Sequence, residues 1–275
     1  MLTQLSKLQD SLKLLGKLAD KRKLELFIVG GMVREIVHLE MLQGEDILSK
    51  NFKQKNLLES IFNPHAEEIS SMNHETSSIN FDLDLLINCD AIKFIKEIQD
   101  EFHKNFNAKL IIKNSFDQFK TIKVTLEGLE EYEIEFASTR IETYLRPAAF
   151  PTVSIIDSVC ADLPRRDFSI NALLISLNPS NYGQIKDLVN GLEDMKDGLI
   201  RVFHDLSFIH DPTRIYRAFR FATEYGFDIE NHSMNLIKEA FKHSDFDKWF
   251  KKRKNRFKIE QKKYLKAINK VLSKT

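Results

Sequence analysis

A chain of 275 residues with 43% hydrophobic content can bury one large core or two smaller ones, and its net charge of +1 points to no polyanionic partner by itself. No stretch is apolar and long enough to span a bilayer, and Met1 is followed by a leucine-striped polar segment instead of an unbroken secretory apolar run. The two cysteines, Cys89 and Cys160, match neither a disulfide framework nor a metal spacing, so the chain is expected to be a cytoplasmic protein with reduced, buried thiols and no membrane partner.

Residues 2–20 place Leu5, Leu8, Leu12 and Leu15 on one helical face, the pattern of a helix packing on a core. LELFIVGGMVREIVHL then runs from an apolar strand through a Gly-Gly turn into a segment with Val33, Ile36 and Val37 at helical spacing. Residues 41–79 are rich in Asn, Ser, Lys and Glu without a sustained period, which predicts a long loop or a partly ordered insertion. NFDLDLLIN predicts a strand, followed by a helix from Ala91 to about Asn105. AKLIIK, FKTIKVTL and EYEIEFAST predict three further strands, the last after a turn at Gly128. RRDFSINAL at 165–173 predicts the start of an apolar helix, and after a loop and a short strand pair the chain turns helical, with no strand signal beyond about Phe203. A boundary near Asp205 then separates a mixed α/β part, residues 1–204, from a helical part, residues 205–275.

Asp82 and Asp84 lie one residue apart on a predicted strand, so both carboxylates project from one face. Two hard oxygen donors then converge, which suits Mg²⁺, an ion that keeps waters and completes its shell with substrate phosphates. A pair of such ions can activate an attacking hydroxyl and neutralise a leaving pyrophosphate. An isolated D-x-D is more often a solvated strand face, but Phe81, Leu83, Leu85, Leu86 and Ile87 mark a largely buried strand, where two unpaired acids are costly. Glu135 supplies a third carboxylate if its strand pairs beside the first, and is otherwise an outward-facing acid like Glu131 and Glu133.

Gly30 and Gly31 end a strand and open a helix, an arrangement that frees backbone N–H groups for triphosphate oxygens, and Arg34 adds a cation one turn on. In RRDFSINAL, Asp167 is either an N-cap or an acceptor for a ribose hydroxyl, with Arg166 reaching phosphate and Asn171 grouped with them as a nucleotide contact. In HDPTRIYRAFR, Pro212 suits the first helical position, which makes Asp211 an N-cap. The competing role pairs Asp211 with Arg214, three residues on: a carboxylate accepts from the exocyclic amine of cytosine or adenine while the guanidinium donates to the adjacent ring nitrogen. Uracil and guanine present the opposite order, so one pair selects C and A together. Arg217 and Arg220 continue a basic face toward phosphates. Residues 248–275 hold twelve Lys or Arg against one acid, Glu260. There Lys251, Lys252, Arg253, Lys254 and Arg256 interleave with Trp249, Phe250, Phe257 and Tyr264, the pattern of an RNA-facing tail or of a solvated basic helix.

In chain order, VGGMVRE, FDLDLLI, FASTRIETY, DLPRRDFSINAL, DLVNGLEDMKDGLIRVF and DPTRIYRAFRFATEYGF resemble the motifs of the class II tRNA nucleotidyltransferase and bacterial poly(A) polymerase family. The resemblance implies an α+β fold, a polymerase-β-like nucleotidyltransferase head with a mixed sheet followed by an α-helical neck. It implies Mg²⁺ ligation by Asp82 and Asp84, places Glu135 near an often acidic position, and assigns triphosphate binding to Gly30 and Gly31. Ribose and phosphate contacts fall to Arg166 and Asp167, and base selection to Asp211 and Arg214. The implied activity is addition of CCA, from CTP and ATP, to the 3′ end of tRNA; CC-adding, A-adding and poly(A)-adding relatives share every motif. Two other classes compete, a non-catalytic RNA-binding remnant and a nucleotidyltransferase acting on a small molecule or protein. Intact Asp82 and Asp84 argue against the first, and the Asp211/Arg214 pair with the basic tail argues against the second. The chain departs from the family at Glu35, where Asp is usual, at His210, where an acid is usual, and in the length of the 41–79 segment. It also stops soon after the neck begins, where relatives continue into body and tail domains, a role open to the basic C-terminus. Nothing in the sequence sets the oligomeric state.

Overall fold

The computed structural model describes residues 2–62, 83–245 and 248. They form two compact units drawn from interleaved segments: one within residues 1–141, 153–162 and 171–188, the other within 142–152, 163–170 and from 189 onward.

The first unit is built on a seven-stranded sheet of order β3-β4-β5-β2-β1-β8-β9. Its strands are β1 (Leu26–Val29), β2 (Leu83–Ile87), β3 (Leu110–Phe116), β4 (Thr121–Leu126), β5 (Leu129–Ser138), β8 (Leu174–Ser176) and β9 (Ile185–Lys186); β6 (Arg140–Thr143) and β7 (Thr152–Ile155) straddle changes of unit along the chain. The β2–β5 pairing is parallel and the other pairings of this sheet are antiparallel, the mixed sheet that the family resemblance implied. Strand β1 is buried at every position, which is why LFIV reads as a continuous apolar run instead of an alternation.

Two long helices complete the core. Helix α1 (Leu2–Asp20) fully buries Leu8, Leu12 and Leu15 of the predicted stripe and leaves Leu5 half-buried. Helix α5 (Ala91–Phe106) is capped by the Asp90 carboxylate, which accepts from the Lys93 N–H at 3.0 Å, and ends at Asn107 in the left-handed region. It buries Phe94, Ile95, Ile98 and Phe102, each worth about 1.5–3 kcal/mol of transfer free energy.

Of the two readings of the segment after α2 (Gly31–Leu42), a long loop or a partly ordered insertion, the described half follows the second. Its described half folds into α3 (Lys50–Gln54) and α4 (Leu58–Phe62), with Ile47, Phe52, Leu57 and Leu58 buried. The apolar residues are too sparse to set a period, yet three tethers hold them down. Ser49 caps α3, the Lys55 ammonium bonds the buried Glu40 carboxylate at 2.6 Å, and the Leu57 N–H donates to the Gly183 carbonyl at 2.9 Å. A Cβ at Gly183, where φ is +79°, would lie 1.7 Å from Asn56 Oδ1. Gly183→Ala is therefore expected to lower stability by about 1–3 kcal/mol and to speed proteolysis within residues 45–62, read from the melting temperature and from limited digestion.

RRDFSINAL does not open a helix. After a 3₁₀ turn at Ser169–Asn171 the apolar run becomes β8, between β1 and β9 in the sheet; a short run buried on both faces carries no period to tell strand from helix. Helix α6 (Val159–Asp162) precedes this turn in the first unit.

The second unit holds α7 (Gly191–Asp197), α8 (Ser207–His210), α9 (Thr213–Tyr225) and α10 (Asn231–Lys242). It also contains a two-residue parallel ladder of β10 (Leu199–Ile200) with β11 (Asp228–Ile229), so a strand does occur beyond Phe203, too short for an alternation to show. Helix α9 buries Ile215, Tyr216, Ala218, Phe219 and Phe221. Among the described residues no helix is long and apolar enough to cross a membrane. Cys160 is exposed, against the expectation of a buried thiol, and Cys89 is half-buried, its thiol pushed up to about 12 by burial and then by Asp90 and Glu97.

Candidate active site

The first unit gathers several predicted residues around the end of β1. Gly30 adopts φ +85°, closed to most L side chains, and opens α2 with no side chain capping it. The first amides of α2 and the helix dipole together suit an anion. A Cβ at Gly30 would stand 3.3 Å from Asp84 Oδ2, so the glycine lets the turn come close to that carboxylate. Arg34 folds back toward the turn: its Nη2 lies 3.7 Å from where a Gly31 Cβ would be, its Nη1 donates to Asn171 Oδ1, and Nη2 reaches Glu35 at 3.4 Å. Arg34 and Asn171 are both buried, a fixed guanidinium beside the glycine turn.

Asp84 and Glu135 sit side by side. They are register partners on the parallel pair β2–β5, which puts both carboxylates on one face of the sheet, on strands roughly 4.8 Å apart. Its strand thus pairs beside the first, the condition for a third carboxylate, and Glu135 stands half-exposed on the same face as Glu131 and Glu133. Asp84 is exposed while Leu83 and Leu85–Ile87 are buried, so the burial cost argued from its flanks does not apply to it; the carboxylate stands at an open position. Asp82 lies outside the described residues.

The second unit collects the rest. Asp167, the expected ribose acceptor, receives the Phe168 N–H at 2.9 Å and forms a 2.5 Å ion pair with Arg217, so two predicted nucleotide contacts neutralise each other. The half-buried Arg166 closes a turn through its N–H to the Leu163 carbonyl at 3.0 Å. Pro212, expected at the first helical position, is instead the N-cap of α9, and Asp211 lies one residue before it, its Oδ1 accepting from the Thr213 N–H at 3.1 Å and from its hydroxyl at 2.6 Å. Arg214 is buried, donating to the Ser207 hydroxyl at 3.3 Å and to the Arg165 carbonyl at 2.6 Å. The Arg214 N–H donates to the Asp211 carbonyl at 3.1 Å, but the two side chains do not pair, because the carboxylate turns to Thr213 and the guanidinium to Ser207 and the Arg165 carbonyl. Arg220 lies over the Phe221 ring, 4.7 Å from its centroid, with Nε 3.6 Å from Glu224. Lys251, Lys252, Arg253, Lys254 and Arg256 lie outside the described residues.

Several residues around Arg214 escaped sequence reasoning. Tyr144 stacks on His210 at 4.3 Å with the rings 7° from parallel, and its hydroxyl donates to Glu142 at 2.8 Å. Burial and the Arg214 charge lower the pKa of His210, and the same two causes with His210 bring His204 to about 4; both rings are neutral at pH 7. A neutral stacked ring thus directly precedes Asp211. Glu142 also faces Arg165 at 3.6 Å. Glu142 and Tyr144 lie in FASTRIETY and Arg165 in RRD, so the motif was the available signal for those three. A second missed cluster explains GLEDMKDGLIRVF: buried Asp194 accepts from the Ser169 hydroxyl at 2.5 Å and from Arg201 Nε at 3.0 Å, while the Arg201 carbonyl accepts from the Ser169 N–H at 3.1 Å. That lock holds the segment carrying Arg165–Asp167 and leaves no chemistry for Asp194 itself.

Residues 72–201 match the family described as the poly A polymerase head domain. An A-adding tRNA nucleotidyltransferase from Halalkalibacterium halodurans is 33% identical over 82% of this chain and 42% of its own length. Its counterpart from Geobacter sulfurreducens is 32% identical over 85% of this chain and 21% of its own length. Among solved structures, a CCA-adding enzyme in an apo form matches with a TM-score of 0.60 and 32% identity, covering 86% of this chain and 44% of that one. The chain spans less than half the length of each of these proteins.

Proposed function

We propose that this chain, which belongs to the class II tRNA nucleotidyltransferase and poly(A) polymerase family, adds adenosine from ATP to the 3′ end of tRNA without a nucleic-acid template. The observation that carries the chemistry is the Asp84–Glu135 register beside the Gly30 turn, two hard-oxygen donors next to an anion-suited helix start. The adenosine assignment is supported by relatives named A-adding that align with 82% and 85% of the chain. Addition of the full CCA, from CTP and ATP, is the second reading, favoured by the likeness to a CCA-adding enzyme. Residues 1–204 form the head in this reading and 205–275 the neck and tail, the latter offering Arg220 and the basic residues 251–256 to RNA, in a cytoplasmic enzyme.

In the reaction the terminal 3′-oxygen of the RNA attacks the α-phosphorus, the bond from that phosphorus to the bridging oxygen breaks, and pyrophosphate leaves. Asp84 and Glu135, with Asp82 of the same D-x-D, would hold Mg²⁺; the exposed position of Asp84 and the adjacent Glu135 fit an ion that takes few protein oxygens and keeps waters. When bound, the cation supplies Lewis-acid stabilisation of the phosphate charge. The α2 amides and Arg34 orient the triphosphate, Arg166 and Asp167 contact phosphate and ribose, and Asp211 and Arg214 read the base. The test is extension of tRNAs ending before CCA, after C or after CC, each with one nucleotide at a time. An A-adding enzyme extends only the CC-ended tRNA, and only with ATP. Incorporation of CMP into the shorter tRNAs would replace this reading with the second.

A further inference from the structure

The carboxylate row does not stop at Glu135. On the far side of β5, strand β4 places Lys123 in register with Glu135, so Asp84, Glu135 and Lys123 stand on successive strands along one rung of the sheet. Lys123 is the one residue of β4 that is not buried, just as Asp84 is the one such residue of β2. Its ammonium lies 3.6 Å from Glu135 Oε2 and 3.3 Å from Glu133 Oε2, bridging two acids of β5.

Resting on the reading of Asp84 and Glu135 as ligands of a divalent cation, we infer that Lys123 is the resident counter-cation of this row, holding Glu135 when no divalent ion is bound and limiting how tightly one binds. Two adjacent carboxylates repel each other, and a cation one strand away offsets that repulsion. The same charge opposes a divalent ion arriving at the row and competes with it for Glu135. Without nucleotide the ion is then held weakly, and the phosphates of the nucleotide complete both its shell and its charge balance. A plain surface pair, stiffening the β4–β5 ladder, has no such effect on the ion.

The test is Mn²⁺ binding to the nucleotide-free protein, followed by calorimetry or by the loss of the free-ion electron spin resonance signal. Lys123→Met is expected to tighten binding by about threefold to tenfold, the effect of removing one screened unit charge two strands away. Lys123→Arg, which keeps the charge, is expected to bind like the unaltered protein. Lys93→Met, an exposed lysine on α5, controls for net charge and is expected to change binding by less than about twofold. The inference is overturned if Lys123→Met leaves Mn²⁺ affinity unchanged or weakens it while Asp84→Asn still abolishes binding. If Asp84→Asn leaves binding unchanged, the carboxylate assignment itself fails and takes the role of Lys123 with it.

Discussion

Asp84→Asn is expected to lower the rate of nucleotide transfer by about 10³-fold or more while leaving the melting temperature and tRNA affinity essentially unchanged. The substitution keeps shape and removes one negative charge from the open end of β2. The loss asked of it is about 4 kcal/mol in the transition state, within the several kcal/mol a polarising cation supplies. Asp84 is exposed, so the change removes no core contact, and surface substitutions of this kind cost about 0.5 kcal/mol or less. Rate and stability therefore separate in one variant, measured by single-turnover extension and by thermal unfolding. A rate within about tenfold of the unaltered enzyme would refute the ligand role.

The second large effect concerns the base. Arg214 spends two of its five N–H donors, on the Ser207 hydroxyl and the Arg165 carbonyl, and the remaining donors are fixed in direction by those two bonds. Arg214→Leu is expected to reduce the preference for ATP over GTP by about tenfold to a hundredfold, the discrimination of one two-point base contact. It also strips a hydrogen bond from a buried serine and from a backbone carbonyl, at about 1–3 kcal/mol of stability. Arg214→Lys separates the two consequences: it keeps the charge and loses the planar fork, so the ratio falls nearly as far while stability falls less. An unchanged ATP-to-GTP ratio in both variants would remove Arg214 from base selection.

Much of this arrangement is legible in the sequence where a period or a turn residue carries the signal. The leucine stripe of α1, the strand, Gly-Gly turn and helix at 25–42, and the alternation of EYEIEFAS each correspond to the element found. What sequence could not supply are the partnerships made by distant strands and loops. Glu131, Glu133 and Glu135 share one alternation, and only the parallel register with β2 sets Glu135 beside Asp84. Residues 45–62 fold because Glu40, Gly183 and their own few apolar side chains anchor them, contacts that leave no periodic trace. The helix expected after Asp167 failed because LIS is buried on both faces as β8, where helix and strand look alike. Around Arg214 the sequence offered Asp211 at helical spacing, but its carboxylate turns to the N–H and hydroxyl of Thr213, the first residue of α9.

The most direct measurement of the central claim is extension of a tRNA ending in CC, with ATP and Mg²⁺, resolved by gel and matched to pyrophosphate released. The expected result is a product one nucleotide longer, one pyrophosphate for each nucleotide added, and neither on the same timescale in the Asp84→Asn variant. A folded protein that extends no tRNA end with any nucleoside triphosphate would contradict it.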